Sequence, residues 1–191
     1  MNINIHQIVS RISFELLELN SKDILLDVGT GTGDVAISSA HICQKVIGID
    51  ISRKSLKIAE TKAKQHNFNN LIFAYGSFEK PDAVLNLKTY DITKILAVYS
   101  LHHLPDKLKK RSLVNLVGLL NRPGRIVIGD IMFFDDPEKY KEIFDDIGYD
   151  GGQTDFPSRV EYLTECLHNL KAKTQVVQIH PLVGIIIADF E

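Results

Sequence analysis

The stretch Leu25 to Asp34, LLDVGTGTGD, restricts the folds open to this chain more than any other. An apolar run ends in Asp27 and is followed by a glycine at every second residue, Gly29, Gly31 and Gly33. Glycine accepts backbone angles that other residues resist and leaves no side chain between the main chain and a neighbour. Where a buried strand hands over to a helix, such a turn lets a ligand lie against the backbone, beside the unpaired N–H groups of the helix start. The dinucleotide fingerprint builds this turn with G-x-G-x-x-G. Here the spacing is G-x-G-x-G, and the place of the third glycine is taken by Asp34. An acid at the mouth of a phosphate site argues for a ligand without phosphates there.

The rest of the chain repeats the same kind of unit. Short apolar runs at Ile24 to Val28, Val46 to Ile49, Leu71 to Tyr75, Asp91 to Val98 and Arg125 to Ile131 read as strands buried on both faces. Between them lie stretches with helical spacing. A first helix spans Ile5 to Leu19. A second follows Gly33, with Val35, Ile37, Ala40 and Ile42 as its buried positions. A third, capped by Ser52, runs from Lys54 to His66, and a fourth from Asp106 to Leu120. Five strands alternating with helices predict an α/β fold, an open parallel sheet with helices on both faces. The end breaks the rhythm: Thr174 to Ile179 and Val183 to Phe190 are strand-like and only His180, Pro181 and Leu182 separate them, so they must pair antiparallel.

At 191 residues, without a linker or internal repeat, residues 1–191 read as a single domain, with an N-terminal helix in residues 1–23. The least regular segment, residues 132–157, carries eight acids against two lysines. It begins at the C-terminal end of the fifth strand, where ligands of open α/β sheets bind, and it reads as a small lid. Within it Pro137 through Phe144 is a helix candidate that Gly151 and Gly152 would stop. A charge run of this kind is usually a solvated face.

Charge and cysteine usage remove several functions. The formal net charge is −2, so no overall basic field would hold a nucleic acid. Cys43 and Cys166 stand near no histidine at metal-site spacing and read as small core residues of a reducing compartment, with no metal site expected. No apolar run approaches the ~20 residues needed to cross a bilayer. Arg11 and Glu15 interrupt the place where a signal peptide has its apolar stretch, so a cytoplasmic address is expected.

The string D-V-G-T-G-T-G from Asp27 to Gly33 resembles motif I of the class I S-adenosylmethionine-dependent methyltransferases. Asp50, in IGIDIS, stands where that family has an acid at the end of the second strand. The fourth strand ends in LAVYSLHHLPD, similar to small-molecule methyltransferases of the ubiquinone and menaquinone biosynthesis type. The closing hairpin matches the family's Rossmann-like sheet of seven strands, mostly parallel, with an antiparallel seventh strand. The resemblance covers roughly Ile24 to Glu191.

It implies S-adenosylmethionine as cofactor, S-adenosylhomocysteine as its product, and methyl transfer to a small-molecule acceptor. Carried over by position, the main chain at Gly29 and Gly31 faces the methionine part, within the turn that Val28, Thr30 and Gly33 complete. Asp27 holds the amino group, whose ammonium also meets the carbonyl of Ala97. Asp50 accepts from both ribose hydroxyls, and Ile51 packs on the adenine. The family commonly has an acid after the third strand; here GSFEK offers Ser77, with Phe78, as the adenine contacts.

His103, or in its place His102, lies just past the fourth strand on the ligand side of the sheet. Histidine titrates near neutrality and suits a base or positioning group beside the transferred methyl. The alternative is that both cap the next helix or fill the pocket floor. Tyr99, Phe133, Phe134 and Tyr149 read as core or lid packing. Three rival functions remain at this point: a binding module with this fold but no turnover; a nicotinamide-dependent dehydrogenase, against which Asp34 and the terminal hairpin count; and methylation of RNA or protein, which would need a basic docking surface that the sequence shows only in short clusters such as Lys107, Lys109, Lys110 and Arg111.

Overall fold

A computed structural model describes residues 4–191. The helix α1 (Ile5–Leu16) is capped by Asn4, whose side chain accepts from the N–H of His6. It ends three residues earlier than its apolar pattern suggests, where Leu17 turns into the core and Glu18 takes a positive φ. The strand β1 (Ile24–Val28) follows, then the glycine turn and α2 (Asp34–Ala40). Because α2 stops at Ala40, Ile42 lies beyond it and is 39% exposed rather than buried. Next come β2 (Lys45–Asp50), α3 (Arg53–Gln65), capped by the Ser52 hydroxyl, and β3 (Leu71–Tyr75).

The expected alternation fails between β3 and β4 (Lys94–Val98), where the chain makes only a short turn of 3₁₀ helix at Leu87–Thr89. After β4 come α4 (Asp106–Val117) and the long β5 (Gly124–Phe133). The lid segment holds irregular 3₁₀ turns and a single helical turn, α5 (Phe144–Ile147). Gly148, at φ 69, ends α5 well before the glycine pair expected to do so. The chain then adds β6 (Ser158–Arg159), α6 (Val160–Asn169), β7 (Lys173–His180) and β8 (Val183–Phe190). The two-residue strand and α6 are additions to the sequence reading.

The strand order is β3-β2-β1-β4-β5-β8-β7, with β6 beside β5. Strands β1 to β5 are mutually parallel, whereas β8 runs antiparallel to both β5 and β7, as the tight terminal connection requires. Side chains alternate across the sheet, so Leu25 and Leu96 face one layer while Leu26 and Ile95 face the other. In the first layer Val9 and Leu17 of the N-terminal segment and Ala36 and Ala40 of α2 pack on the sheet. In the second, Leu113 and Leu116 of α4 and Leu163 and Leu167 of α6 do so. The central strands are therefore covered on both faces. No helix among the described residues is long and apolar enough to cross a membrane.

Candidate functional site

The C-terminal ends of β1, β2, β3 and β4 converge on a cleft of about 420 Å³. It lies where the chain order departs from β1 in opposite directions, toward β2 and toward β4, the position at which open α/β sheets take ligands.

One half of the cleft is made by the glycine turn and the ends of β2 and β3. Gly29, Gly31 and Gly33 all have positive φ, at 78°, 55° and 80°. They differ in what surrounds them. A Cβ on Gly29 would stand 2.5 Å from that of Ser100, and one on Gly33 would stand 2.8 Å from Ala59 and Phe73, so these two are close-approach positions. A Cβ on Gly31 would meet nothing within 4 Å, because its backbone borders the open cleft. The N–H groups of Gly29 and Thr30 both donate to the carbonyl of Ile49, tying the turn to β2. Asp50, at the end of β2, accepts from Gly31 N–H at 2.8 Å through Oδ2 and from Ser52 N–H at 2.7 Å through Oδ1. The carboxylate is fixed by main chain on both sides. Ile51 beside it is 66% exposed, an apolar side chain on the cleft wall.

Asp27 lies behind the turn, buried, and accepts from the Thr30 hydroxyl at 2.6 Å. Burial pushes its carboxyl up to about 6, the Thr30 hydrogen bond opposes this, and the charge of Asp50 adds to it. The Ser77 hydroxyl accepts from Lys80 N–H at 3.1 Å, closing the turn after β3, while Phe78 presents an apolar wall.

The other half of the cleft is built from side chains that are distant in sequence. Asp130 on β5 is 1% exposed. Its Oδ2 accepts from the N–H groups of Ser100, Leu101 and His102 at 3.3, 2.8 and 3.1 Å. Its Oδ1 accepts from Ile131 N–H and meets Nδ1 of His102. Tyr99 enters this loop at φ 45, turning the backbone at the point where three successive N–H groups begin to share one carboxylate. His102 is buried. Burial alone would lower its pKa, but the charge and hydrogen bond of Asp130, with Asp155 beyond, raise it on balance. His103 is exposed and lines the cleft, with Nδ1 3.0 Å from Oδ1 of Asp155, which the lid brings in. Tyr99 also lines the cleft and packs against His6, ring centroids 4.1 Å apart.

Among the expected site residues, Gly29, Gly31, Asp50, Ile51, Ser77, Phe78 and His103 border the cleft. Asp27, Val28, Thr30 and Ala97 form the layer behind it, Gly33 packs away from it, and His102 is held beneath by Asp130. Asp34 corrects the sequence argument. Its side chain points to solvent and pairs with Lys62 at 2.7 Å, which keeps its carboxyl below the usual range despite partial burial. It therefore sets no charge at the cleft. Asp130 and Asp155 went unrecognised as site residues. An acid within a buried strand was the available signal for the first; the second lay among seven other lid acids with nothing local to distinguish it. The remaining lid acids mostly serve the lid itself, Asp135 pairing with Lys139, Glu138 with Lys141, and Asp150 accepting from four backbone N–H groups of its own turn.

Comparison with known proteins converges on one family. The profile of the methyltransferase domain matches residues 19–179. An uncharacterised methyltransferase of Bacillus cytotoxicus is 32% identical over 111 residues, covering 58% of this chain and 48% of the relative. The chain spans about half the length of the curated relatives it matches. Among solved structures, the YcgJ protein of Bacillus subtilis superposes with a TM-score of 0.73 at 18% identity, covering 91% of this chain and 71% of that one. The magnesium protoporphyrin IX methyltransferase of Synechocystis PCC 6803, solved with bound S-adenosylhomocysteine, gives 0.71 at 18% identity, over 97% and 83%. By its profile match and its sheet, this chain belongs to the class I S-adenosylmethionine-dependent methyltransferase family.

Proposed function

We propose that the chain binds S-adenosylmethionine in this cleft and directs methyl transfer to a small-molecule acceptor. The observation that carries the reading is Asp50. Each of its oxygens accepts one backbone hydrogen bond and has capacity for another, so the pair suits the two neighbouring hydroxyls of a ribose.

The surrounding residues fit the same ligand. A buried carboxyl raised to about 6 favours a cation beside it, and the amino group of the methionine part supplies one to Asp27, with the carbonyl of Ala97 close in the same layer. The main chain at Gly29 and Gly31 offers the backbone surface, held in shape by Val28, Thr30 and Gly33. Ile51 and Phe78 flank the adenine, with the Ser77 hydroxyl at its edge. When bound, S-adenosylmethionine supplies a methyl group on a sulfonium, which is already an excellent leaving group. The chain's own task is then to hold the acceptor in line, keep water out and accept a proton where the nucleophile carries one. His103, on the cleft wall and oriented by Asp155, is the residue placed to do so. His102, fixed underneath by Asp130, is a positioning residue. The cleft volume and the net charge of −2 favour a small acceptor over a polymer.

The test is calorimetric titration of wild type and Asp50→Ala with S-adenosylmethionine, S-adenosylhomocysteine and NADH. Binding of the two adenosyl compounds alone, weakened on the order of 100-fold by the substitution, is expected, a loss of about 2.7 kcal/mol. Binding of NADH alone, or of none of the three, would overturn the reading.

A further inference from the structure

We infer that His102, His103 and Asp155 form a binding site for one divalent transition-metal ion of the zinc class on the acceptor side of the cleft. Each residue offers one ligand atom, and the three atoms lie within 4.8 Å of one another. Oδ1 of Asp155 stands 3.0 Å from Nδ1 of His103 and 3.6 Å from Nε2 of His102. The second distance is too long for a hydrogen bond. It is close to the separation of about 3.4 Å between neighbouring ligand atoms around a tetrahedral ion with bonds of about 2.1 Å.

The support behind the ligands points the same way. A ligating histidine usually donates its second ring nitrogen to a carboxylate, which fixes the tautomer and the ring plane. His102 turns Nδ1 to Asp130 and leaves Nε2 for Asp155. Asp130 is itself immobilised by the N–H groups of Ser100, Leu101, His102 and Ile131. Histidines adjacent in sequence converge here because residues 101–103 form a 3₁₀ turn that brings their rings to 4.0 Å.

Two imidazoles and one carboxylate suit Zn²⁺, Fe²⁺, Co²⁺ or Ni²⁺ rather than Mg²⁺ or Ca²⁺, which prefer all-oxygen shells. Three protein ligands leave a position open. Since His103 borders the cleft, a small molecule there can fill that position through a hydroxyl, phenol or thiol. Coordination lowers the pKa of such a donor, which releases its proton to solvent and stays in place as the anion. The assignment deepens the function proposed above and changes one role in it: with an ion bound, Nδ1 of His103 is a ligand and the acceptor's proton goes to solvent, and the role of base given to His103 above holds only without the ion. It rests on that reading only for what the ion does, not for whether it binds.

Zinc titration of the chelator-treated full chain by calorimetry tests it, with Co²⁺ absorption reporting the geometry. One ion per chain, with a dissociation constant on the order of micromolar or tighter, is expected for wild type. His103→Ala and Asp155→Asn should each weaken it, and Asp130→Asn should weaken it roughly 10- to 100-fold through His102. His103 is exposed, so its substitution leaves the fold intact. The double substitution His41→Ala, His66→Ala removes a separate surface pair, ring centroids 6.2 Å apart, and should change nothing. Absence of stoichiometric binding overturns the site, as does binding that survives His103→Ala or is lost with His41 and His66; the cluster is then an imidazole–carboxylate network that pins the lid. Titration with S-adenosylmethionine in the absence of metal separates the two readings, since either can bind while the other does not.

Discussion

The two halves of the cleft are made by different means. Around Asp50 the walls are backbone: a glycine turn, strand ends and N–H groups that hold a carboxylate from two sides. Around His103 they are side chains, gathered from the loop after β4, from β5 and from the lid. A backbone-built wall depends on local geometry and tolerates few sequences. A wall built of side chains depends on the packing of distant segments and can be altered one residue at a time. The first kind suits a ligand common to a family, and the second suits one that varies among its members.

The largest effect that would sharpen this contrast is expected on the side-chain half. Asp130→Ala leaves the N–H groups of Ser100, Leu101, His102 and Ile131, and the ring of His102, without their acceptor and should cost about 4 kcal/mol in urea unfolding. Binding of S-adenosylhomocysteine at saturating stability should survive it; equal loss of both would mean that the halves are not separable.

Next comes a pair of substitutions within the glycine turn. Gly29→Ala combines a positive φ with a 2.5 Å approach to Ser100 and should cost about 3 kcal/mol. Gly31→Ala should cost only about 1 kcal/mol, since nothing lies within 4 Å, yet it should lower cofactor affinity by intruding on the cleft. Equal thermal shifts for the two would contradict the division between a packed and an open glycine.

Asp27 links stability to pH. Its folded pKa of about 6 lies above the ordinary 3.8, so the folded state holds the proton more tightly. The stability this provides is fully present below about pH 4 and is lost as pH rises through 6, a change of about 3 kcal/mol. Asp27→Asn should therefore stabilise the ligand-free protein at pH 7, flatten this part of its pH profile and weaken S-adenosylmethionine binding. A profile unchanged by the substitution would assign the pH dependence elsewhere.

The smallest effect is expected outside the cleft. Lys62→Ala breaks an exposed pair with Asp34 and should cost under about 0.5 kcal/mol with no change in cofactor affinity. A clear loss of affinity would return Asp34 to the site.

The same contrast explains what was legible in the sequence. The backbone half announces itself over a few residues, because left-handed turns demand glycine at fixed spacing and Asp50 follows a strand with a fixed pattern. Strand β8 was equally readable, since three residues cannot carry a helical crossover. The side-chain half needed the joining of residue 102 with 130 and 155, a contact no local pattern encodes. The helix α6 was a different failure: Val160, Leu163, Cys166 and Leu167 carry a helical period in plain view. Asp34 misled because spacing places a residue on the chain but does not say which way its side chain turns.

Lys109 has a consequence for the segment that follows β5. It is 1% exposed, and its ammonium reaches the carbonyl of Phe156 and the hydroxyl of Ser158, fastening the far end of the lid to α4. The near end is fastened by β5. The segment between is thus a strap riveted at both ends. Asp155 sits one residue inside the rivet. The acid that meets His103 is thereby kept at its station.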